Sequence, residues 1–250
     1  MAGHSHWAGI KHKKAAVDKK RGKLFSKLAK LIIIAAKEGG GDPEANPKLK
    51  NAIEHAKAAN MPKENIERAI KRGTGEISGA NFEELTYEGY GPQGVAIIIQ
   101  ILTDNRNRTA PEIRKIMEKY GGNLSGSVAW NFEKKGVLVF SLKESGQTED
   151  YLTNLAIEAG AEDIDTSGDI LEVITTPEEF QNVRQTFSSI PTLSAEITLR
   201  PKTTVKIEDE NTAKKILKLL EELEDHDDVQ QVYSNYDIPD TLLAQLSQNA

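Results

Sequence analysis

The hydrophobic pattern of this 250-residue chain changes at a glycine-rich stretch that runs from Gly73 to Gly79. Before this stretch, apolar residues recur every three or four positions, which is the spacing of an amphipathic helix. After it, short β-branched apolar runs alternate with helical segments, which is typical of a mixed α/β chain. We therefore predict a helical unit followed by at least one α/β unit. More than one domain is also expected from the chain length, since a typical domain has about 150 residues.

Three helices are predicted before the glycine-rich stretch. The first covers Lys13 to Lys37 and carries one apolar stripe. The second begins after Asn46, a good cap residue that is followed by a proline at the first helical position. The third is predicted to repeat that arrangement, with Asn60 or Met61 as its cap. Together these helices predict a small bundle.

The rest of the chain is predicted to alternate strands and helices. The predicted strands are Gly94–Leu102, Ser127–Phe132, Gly136–Leu142, Asp163–Thr166, Asp169–Ile174, Ala195–Arg200, Thr203–Ile207 and Val229–Ser234. The predicted helices are Thr109–Tyr120, Thr148–Ala159, Pro177–Ser189 and Glu210–Asp225. Six consecutive elements, from residue 136 to residue 200, follow the β-α-β-β-α-β order of a ferredoxin-like unit.

The predicted fold class is therefore a multidomain α+β protein, with an N-terminal helical bundle and two α/β-sandwich domains. The basic helical domain takes residues 1–80. Residues 81–133 together with residues 202–250 are predicted to form a discontinuous α+β middle domain, because the elements on either side of the ferredoxin-like unit need a partner. The ferredoxin-like domain, residues 134–201, is predicted to be inserted into that middle domain.

Charge is distributed unevenly along the chain. The formal net charge is -6, yet residues 1–72 carry +10 and the remaining residues carry -16. A basic unit attached to an acidic body indicates a polyanionic partner at one end of the molecule. We expect that partner to be a nucleic acid.

Several classes of protein are disfavoured by composition. The chain contains no cysteine, which removes disulfides, cysteine-based zinc sites and thiol catalysis, and fits a reducing, cytoplasmic location. The longest apolar run, Leu31 to Ala36, is far shorter than the ~20 residues that span a bilayer. The acidic cluster from Glu221 to Asp228 lacks the spacing of a calcium loop and is interpreted as a solvated helix end. We expect a monomer with no membrane association, no metal site and no cofactor.

The first candidate site is the cationic segment between Ile10 and Lys27, in which Asp18 is the only acid. Such density of one charge is better explained by binding to phosphates than by a solvated helix face. Trp7 suits stacking on an unpaired base and, equally, anchoring of the N-terminal arm on the bundle. The predicted nucleic-acid-binding residues of this unit are Trp7, Lys11, His12, Lys13, Lys14, Lys19, Lys20, Arg21, Lys23, Lys27, Lys71 and Arg72.

A second candidate site is the segment TDNRNRT, Thr103 to Thr109, between a predicted strand and a predicted helix. Thr109 and Glu112 are predicted to form a capping box, which puts the preceding residues on a loop at a helix N-terminus. Backbone N–H groups and the helix dipole favour anions there. The alternative is that the two arginines pair with Asp104 and Glu112 and brace the loop. The residues predicted to bind phosphate here are Asn105, Arg106 and Arg108.

Four long segments resemble the YebC family, and the resemblance extends over essentially the whole chain. They are AGHSHWAGIKHKKAAVDKKRGKLFSKL from Ala2, AKAANMPKENIERAIKRGTGE from Ala56, YEGYGPQGVAIII from Tyr87 and LTDNRNRTAPEIRK from Leu102. The resemblance implies a three-domain protein with a helical first domain that regulates transcription by binding DNA. Relatives such as the mitochondrial translational activator of cytochrome oxidase subunit one imply a role in translation at the ribosome.

No residue is predicted to be catalytic. The run Gly39 to Gly41 follows a helix and lacks the Gly-Lys-Ser/Thr of a phosphate-binding loop. The favoured function is therefore a non-enzymatic regulator of gene expression that binds nucleic acid. Two alternatives stay open: a phosphate-acting enzyme that uses the Arg106/Arg108 loop, and a protein-interaction adaptor whose acidic C-terminal surface binds basic ribosomal proteins.

Overall fold

The computed structural model describes the backbone of residues 17–248 and the side chains of residues 22–246. This part of the chain forms two compact units, residues 17–126 with 214–232 and residues 127–213 with 233–248. Helices occupy the N-terminal part and β-sheets follow, so the protein has a mixed α/β fold. The three-domain boundaries drawn from the sequence stay a prediction.

The first unit begins with the three predicted helices: α1 (Val17–Gly39), α2 (Pro47–Ala58) and α3 (Lys63–Gly73). Leu28, Ile32 and Ala35 of the predicted apolar stripe are buried against Leu49 and other residues of α2 and α3, whereas Leu24 of the same stripe is exposed. None of the helices within residues 17–248 is long and apolar enough to cross a membrane.

The two predicted helix caps differ in outcome. Asn46 caps α2 as predicted, since its side chain accepts a hydrogen bond from the Leu49 N–H and its amide donates to the Ala35 carbonyl at 2.8 Å. The predicted cap of α3 is wrong, because Pro62 occupies the cap position and makes no side-chain capping bond. Asn60 instead takes a left-handed conformation, φ 59°, in the turn that follows α2.

The first unit continues with β1 (Glu83–Tyr90), β2 (Ala96–Thr103) and α4 (Arg106–Lys119), and ends with most of α8 (Glu210–Asp225) and of β8 (Val229–Ser234). The three strands form one sheet in the order β1-β2-β8, in which β1 and β2 are antiparallel. Strand β1 was not predicted, because its charged and glycine residues interrupt the alternation of an edge strand.

The predicted strand Ser127–Phe132 is wrong. Residues Ala129–Asn131 form a short 3-10 helix, and the Asn131 N–H donates to the Val128 carbonyl at 3.0 Å. The strand that joins β1 and β2 in the first sheet is β8, which lies about one hundred residues further along the chain.

The second unit contains β3 (Phe132–Ser141), α5 (Leu142–Ser145), α6 (Glu149–Ala159), β4 (Asp163–Ser167), β5 (Ile170–Thr175), α7 (Phe180–Thr186) and β6 (Ser194–Pro201). Apart from the single turn α5, this is the predicted β-α-β-β-α-β order, and the strands form an antiparallel sheet in the order β4-β5-β3-β6. One sheet face, including Leu138 and Phe140, packs against Leu152 of α6 and Val183 of α7.

Short elements complete the second unit. The predicted strand Thr203–Ile207 is reduced to β7 (Val205–Lys206), which pairs in parallel with β9 (Tyr236–Asp237). The chain then forms α9 (Asp240–Gln248). Neither β9 nor α9 was predicted.

Candidate nucleic-acid interface

The helix that was predicted to begin at Thr109 begins three residues earlier, at Arg106, within the segment TDNRNRT. Asn105 is its cap, and the Asn105 side-chain oxygen accepts a hydrogen bond from the Arg108 N–H at 3.1 Å. The predicted capping box of Thr109 and Glu112 is therefore wrong. Arg106 and Arg108 lie in the first turn of α4, not on a loop that precedes it.

Thr109 is buried because it belongs to a polar cluster around one carboxylate. Asp228, which is 3% exposed, accepts hydrogen bonds from Thr109 Oγ1 at 2.7 Å and from Thr103 Oγ1 at 3.1 Å. Two cations also reach this carboxylate: Lys30 Nζ lies 2.7 Å from Oδ1, and Arg108 Nη2 lies 2.8 Å from Oδ2. We call Asp228 and these four donors the Asp228 cluster.

The donors of the Asp228 cluster hold the Asp228 carboxyl group in its ionised form. Burial alone would raise the pKa of Asp228, but the hydrogen bonds from Lys30, Arg108 and Thr109 outweigh that effect and hold the pKa well below its ordinary value. The carboxylate therefore stays ionised and keeps α1 and α4 bound to the turn that precedes β8.

Three lysines of α1 bind the end of α8 and the turn after it. The Lys23 ammonium donates to the Asp225 carbonyl at 3.0 Å, that of Lys27 to the Glu224 carbonyl at 2.5 Å, and that of Lys30 to the Asp227 carbonyl at 3.0 Å. Lysine at the carbonyl end of a helix complements the helix dipole. Partial burial of Lys27 lowers its pKa to about 8, an effect that nearby Asp225 opposes.

The prediction that residues Glu221 to Asp228 form a solvated helix end is therefore wrong for the last residues of this range. Asp228 is buried, and His226 is held on both ring nitrogens. His226 Nδ1 accepts from the Asp228 N–H at 3.1 Å, and Nε2 lies 3.0 Å from Glu112 Oε2 of α4. Glu112 therefore pairs with His226 and not with an arginine of its own segment.

An open groove of about 1240 Å³ lies beside these contacts, between α1, α4 and the end of α8. It brings together two predicted phosphate-binding residues, Lys23 and Arg108. It also contains at least as many acids as bases, and its bases other than Lys115 are engaged by those acids and by main-chain carbonyls. Its lining includes Lys23, Lys30, Arg108, Lys115, Lys119, Asp104, Glu112, Glu222, Asp225, Asp227 and Asp228. Such a lining does not favour a polyanion.

The remaining predicted site residues have different surroundings. Lys71 and Arg72 are exposed in the last turn of α3, and Arg106 is exposed at the start of α4. Within the described part of the chain, none of these three side chains makes an ion pair or a hydrogen bond. The backbone of Lys19, Lys20 and Arg21 belongs to α1, while Trp7, Lys11, His12, Lys13 and Lys14 lie outside the described residues.

Two kinds of residue at the candidate interface were not predicted from the sequence. Arg68 is exposed and lies on the same face of α3 as Lys71 and Arg72, three and four positions away, a spacing visible in the sequence. Lys30 and Asp228 are 198 residues apart, and no local pattern links them.

Comparisons with known proteins agree on one family. A sequence model of the TACO1/YebC protein N-terminal domain matches residues 5–76, and one of the TACO1/YebC second and third domain matches residues 82–236. A protein from Dictyoglomus turgidum is 59% identical over 99% of this chain and 100% of its own length, and one from Halothermothrix orenii is 55% identical with the same coverage. Both are named probable transcriptional regulatory protein.

A solved structure gives the same result. The crystal structure of a conserved hypothetical protein from Aquifex aeolicus is similar to this fold with a TM-score of 0.82 and 52% sequence identity. The similarity covers 94% of this chain and 98% of the Aquifex chain. Matches of this extent in sequence and in structure show that the chain belongs to the TACO1/YebC family.

Proposed function

We propose that this protein is a non-enzymatic regulator of gene expression that binds nucleic acid, DNA and/or ribosomal RNA, through its N-terminal helical part. A regulatory role is supported by the names of the Dictyoglomus and Halothermothrix relatives. The observation that carries nucleic-acid binding is the charge of +10 on residues 1–72 in a chain whose net charge is -6.

The contacts of α1 restrict where phosphates bind. The ammonium groups of Lys23 and Lys27 already donate to main-chain carbonyls, and that of Lys30 is paired with Asp228. The other predicted phosphate-binding cations of this helix, Lys19, Lys20 and Arg21, precede Lys23 in the sequence. We propose these three residues as the main phosphate contacts of the helix.

A second group of free cations lies at the end of α3. Arg68, Lys71 and Arg72 are exposed there, and among the described residues none of their side chains has a partner. Gly73 approaches the Ile33 carbonyl, which places the end of α3 beside the second half of α1. Ile33 lies thirteen residues after Lys20, or roughly 20 Å along the helix at ~1.5 Å per residue. A nucleic-acid backbone that contacts both groups would therefore extend over several nucleotides.

The three-domain arrangement belongs to this proposal. A discontinuous middle domain is supported by the sheet β1-β2-β8, whose third strand follows the β-α-β-β-α-β elements in the chain. We infer that those elements are an inserted ferredoxin-like domain, and that the protein acts in the cytoplasm.

The alternative functions have less support. A phosphate-acting enzyme at the start of α4 would need a free Arg108, but Asp104 and Asp228 both bind this guanidinium, at 3.0 and 2.8 Å. An adaptor would bind basic partners through the acidic C-terminal part. The turn at Asp225 to Asp228 is not available for this, because the lysines of α1 already bind it.

Salt dependence of binding tests the proposal. If about six phosphates are neutralised, the logarithm of the binding constant should fall against log salt with a slope of roughly -4 to -5. The measurement is a fluorescence titration of labelled duplex DNA with the full chain, followed by competition with ribosomal subunits at physiological salt. Displacement by ribosomal subunits at lower concentration than by unlabelled duplex would identify RNA as the ligand. If the protein binds neither the duplex DNA nor the ribosomal subunits, the proposal is contradicted.

The two arginines of α4 should separate binding from stability. Arg106→Ala should weaken nucleic-acid binding by roughly 5- to 8-fold at 0.1 M salt, the loss of one phosphate contact, and leave Tm unchanged. Arg108→Ala should lower Tm by a few degrees, because Asp228 and Asp104 lose a donor. Melting curves and titrations in one buffer provide the comparison. A stable, binding-deficient Arg108→Ala beside a neutral Arg106→Ala would reverse these assignments.

A further inference from the structure

Trp130 is the most exposed large apolar side chain among the described residues. Its side chain is 66% exposed, although tryptophan is usually largely buried. The indole N–H donates to the Ser127 carbonyl at 3.0 Å, which restrains the ring and satisfies its only donor. The ring therefore presents an apolar π-face to solvent.

The backbone under this ring is firmly held. Asn131 is 2% exposed, and its side-chain oxygen accepts from the Thr203 N–H at 3.0 Å and from the Thr203 hydroxyl at 2.7 Å. Its amide donates to the Thr203 carbonyl at 3.1 Å, and the Asn131 carbonyl accepts from the Lys202 N–H at 2.7 Å. The entropic cost of ordering the backbone when a ligand stacks on Trp130 is therefore small.

An exposed cation lies on the backbone segment that is hydrogen-bonded to the residue after Trp130. Lys202 is exposed, its main chain is bonded to the residue after Trp130, and its ammonium has no partner among residues 22–246. Arg200 and Lys206 nearby in sequence are paired with Glu172 and Glu208. Residues 127–213 and 233–248 hold seven lysines and arginines against eighteen acids, yet residues 198–206 contain no acid. Among the three cations of this stretch, Lys202 alone therefore has no partner within residues 22–246.

We propose that Trp130 and Lys202 form a contact for single-stranded nucleic acid, in which the indole face stacks on an unpaired base and the ammonium neutralises a neighbouring phosphate. The inference rests on the proposed function and adds a second contact far from residues 1–72 in the chain. Bases and phosphates alternate along a single strand, so an exposed aromatic face and a cation on two hydrogen-bonded backbone segments match that ligand. A duplex keeps its bases stacked inside and does not offer this contact.

Intrinsic fluorescence tests the inference directly in the full chain. The protein has two tryptophans, Trp7 and Trp130, so Trp7→Phe leaves Trp130 as the only one. A single-stranded oligothymidylate should quench Trp130 emission in this variant and protect it from acrylamide, and a duplex of equal length should do neither. Trp130→Ala should weaken binding of the labelled single strand by roughly 5- to 150-fold, the range measured for base–aromatic stacking. Trp130→Phe should restore most of that loss.

Matched variants separate stacking from general effects. Tyr151→Ala removes another half-exposed aromatic side chain of the same unit and should leave binding unchanged. Lys202→Ala should reduce the salt slope for the single strand by about 0.7.

Each outcome discriminates between the two proposals. If the labelled strand binds, Trp130 emission stays constant and Trp130→Ala binds like wild type, the inference is wrong and the proposed function stands. If neither single strand, duplex nor ribosomal subunit binds, the proposed function itself fails. If basic ribosomal proteins protect Trp130 from acrylamide and the oligonucleotide does not, Trp130 contacts protein and the inference is overturned.

Discussion

Asp228→Asn is expected to destabilise the protein more than any single substitution in its predicted nucleic-acid-binding residues. The variant keeps the size of the side chain but removes the charge that Lys30 and Arg108 approach to 2.7 and 2.8 Å. Removing one partner from a buried ion pair typically costs about 3 to 5 kcal/mol. For a chain of this size that corresponds to a fall in Tm of roughly 6 to 20 °C. Thermal unfolding followed by circular dichroism measures the change.

The pH dependence of this difference has a defined sign. A carboxyl group whose pKa is lowered by folding contributes stability that is present above its unfolded pKa of about 3.9 and is lost as the pH falls through the folded pKa. The difference in unfolding free energy between wild type and Asp228→Asn should therefore be constant from about pH 5 to pH 8. It should shrink only below about pH 4.

Asp227→Asn is the matched control. Asp227 is the neighbouring acid, its side chain is 76% exposed, and it lies 4.0 Å from Lys23. Exposed ion pairs contribute only ~0 to 1 kcal/mol, so this variant should melt close to wild type. Equal Tm values for the two variants would show that the Asp228 cluster does not hold α1 and α4 in place.

Replacing Lys19, Lys20 and Arg21 together by alanine is expected to have the largest effect on nucleic-acid binding. Alanine maintains the helix, so the change is in charge and not in fold. Loss of three phosphate contacts should flatten the salt slope by up to ~3 and weaken binding at 0.1 M salt by roughly 100- to 500-fold. Fluorescence titrations at four or more salt concentrations measure both quantities on the full chain.

A charge-matched control removes three exposed lysines from the rest of the chain. Lys143, Lys215 and Lys218 are exposed helical residues outside the basic part. Their replacement by alanine changes the net charge by the same amount and should leave both slope and affinity near the wild-type values. If both triple variants lose affinity equally, the effect is one of total charge, and α1 has no special role.

Much of the architecture follows from local sequence patterns. The helices α2 and α8, the strand β8 and the β-α-β-β-α-β order were all predicted, because cap residues and apolar periodicity act over a few positions. One prediction failed because a local pattern had a competitor. Thr109 has the sequence of a helix cap, but Asn105 precedes it and supplies the capping oxygen, so the helix begins at Arg106.

The sequence by itself determined which part of the chain is basic, and therefore which class of partner we propose. Only the tertiary structure decided which of those basic residues are free to bind it. Lys23 and Lys27 are engaged by α8 and Arg108 by Asp228, across 120 or more residues, whereas Arg106 is exposed and has no partner among residues 22–246. The physical reason is that formal charge is a property of composition, but its availability depends on which opposite charges and carbonyl groups the fold places within about 3 Å.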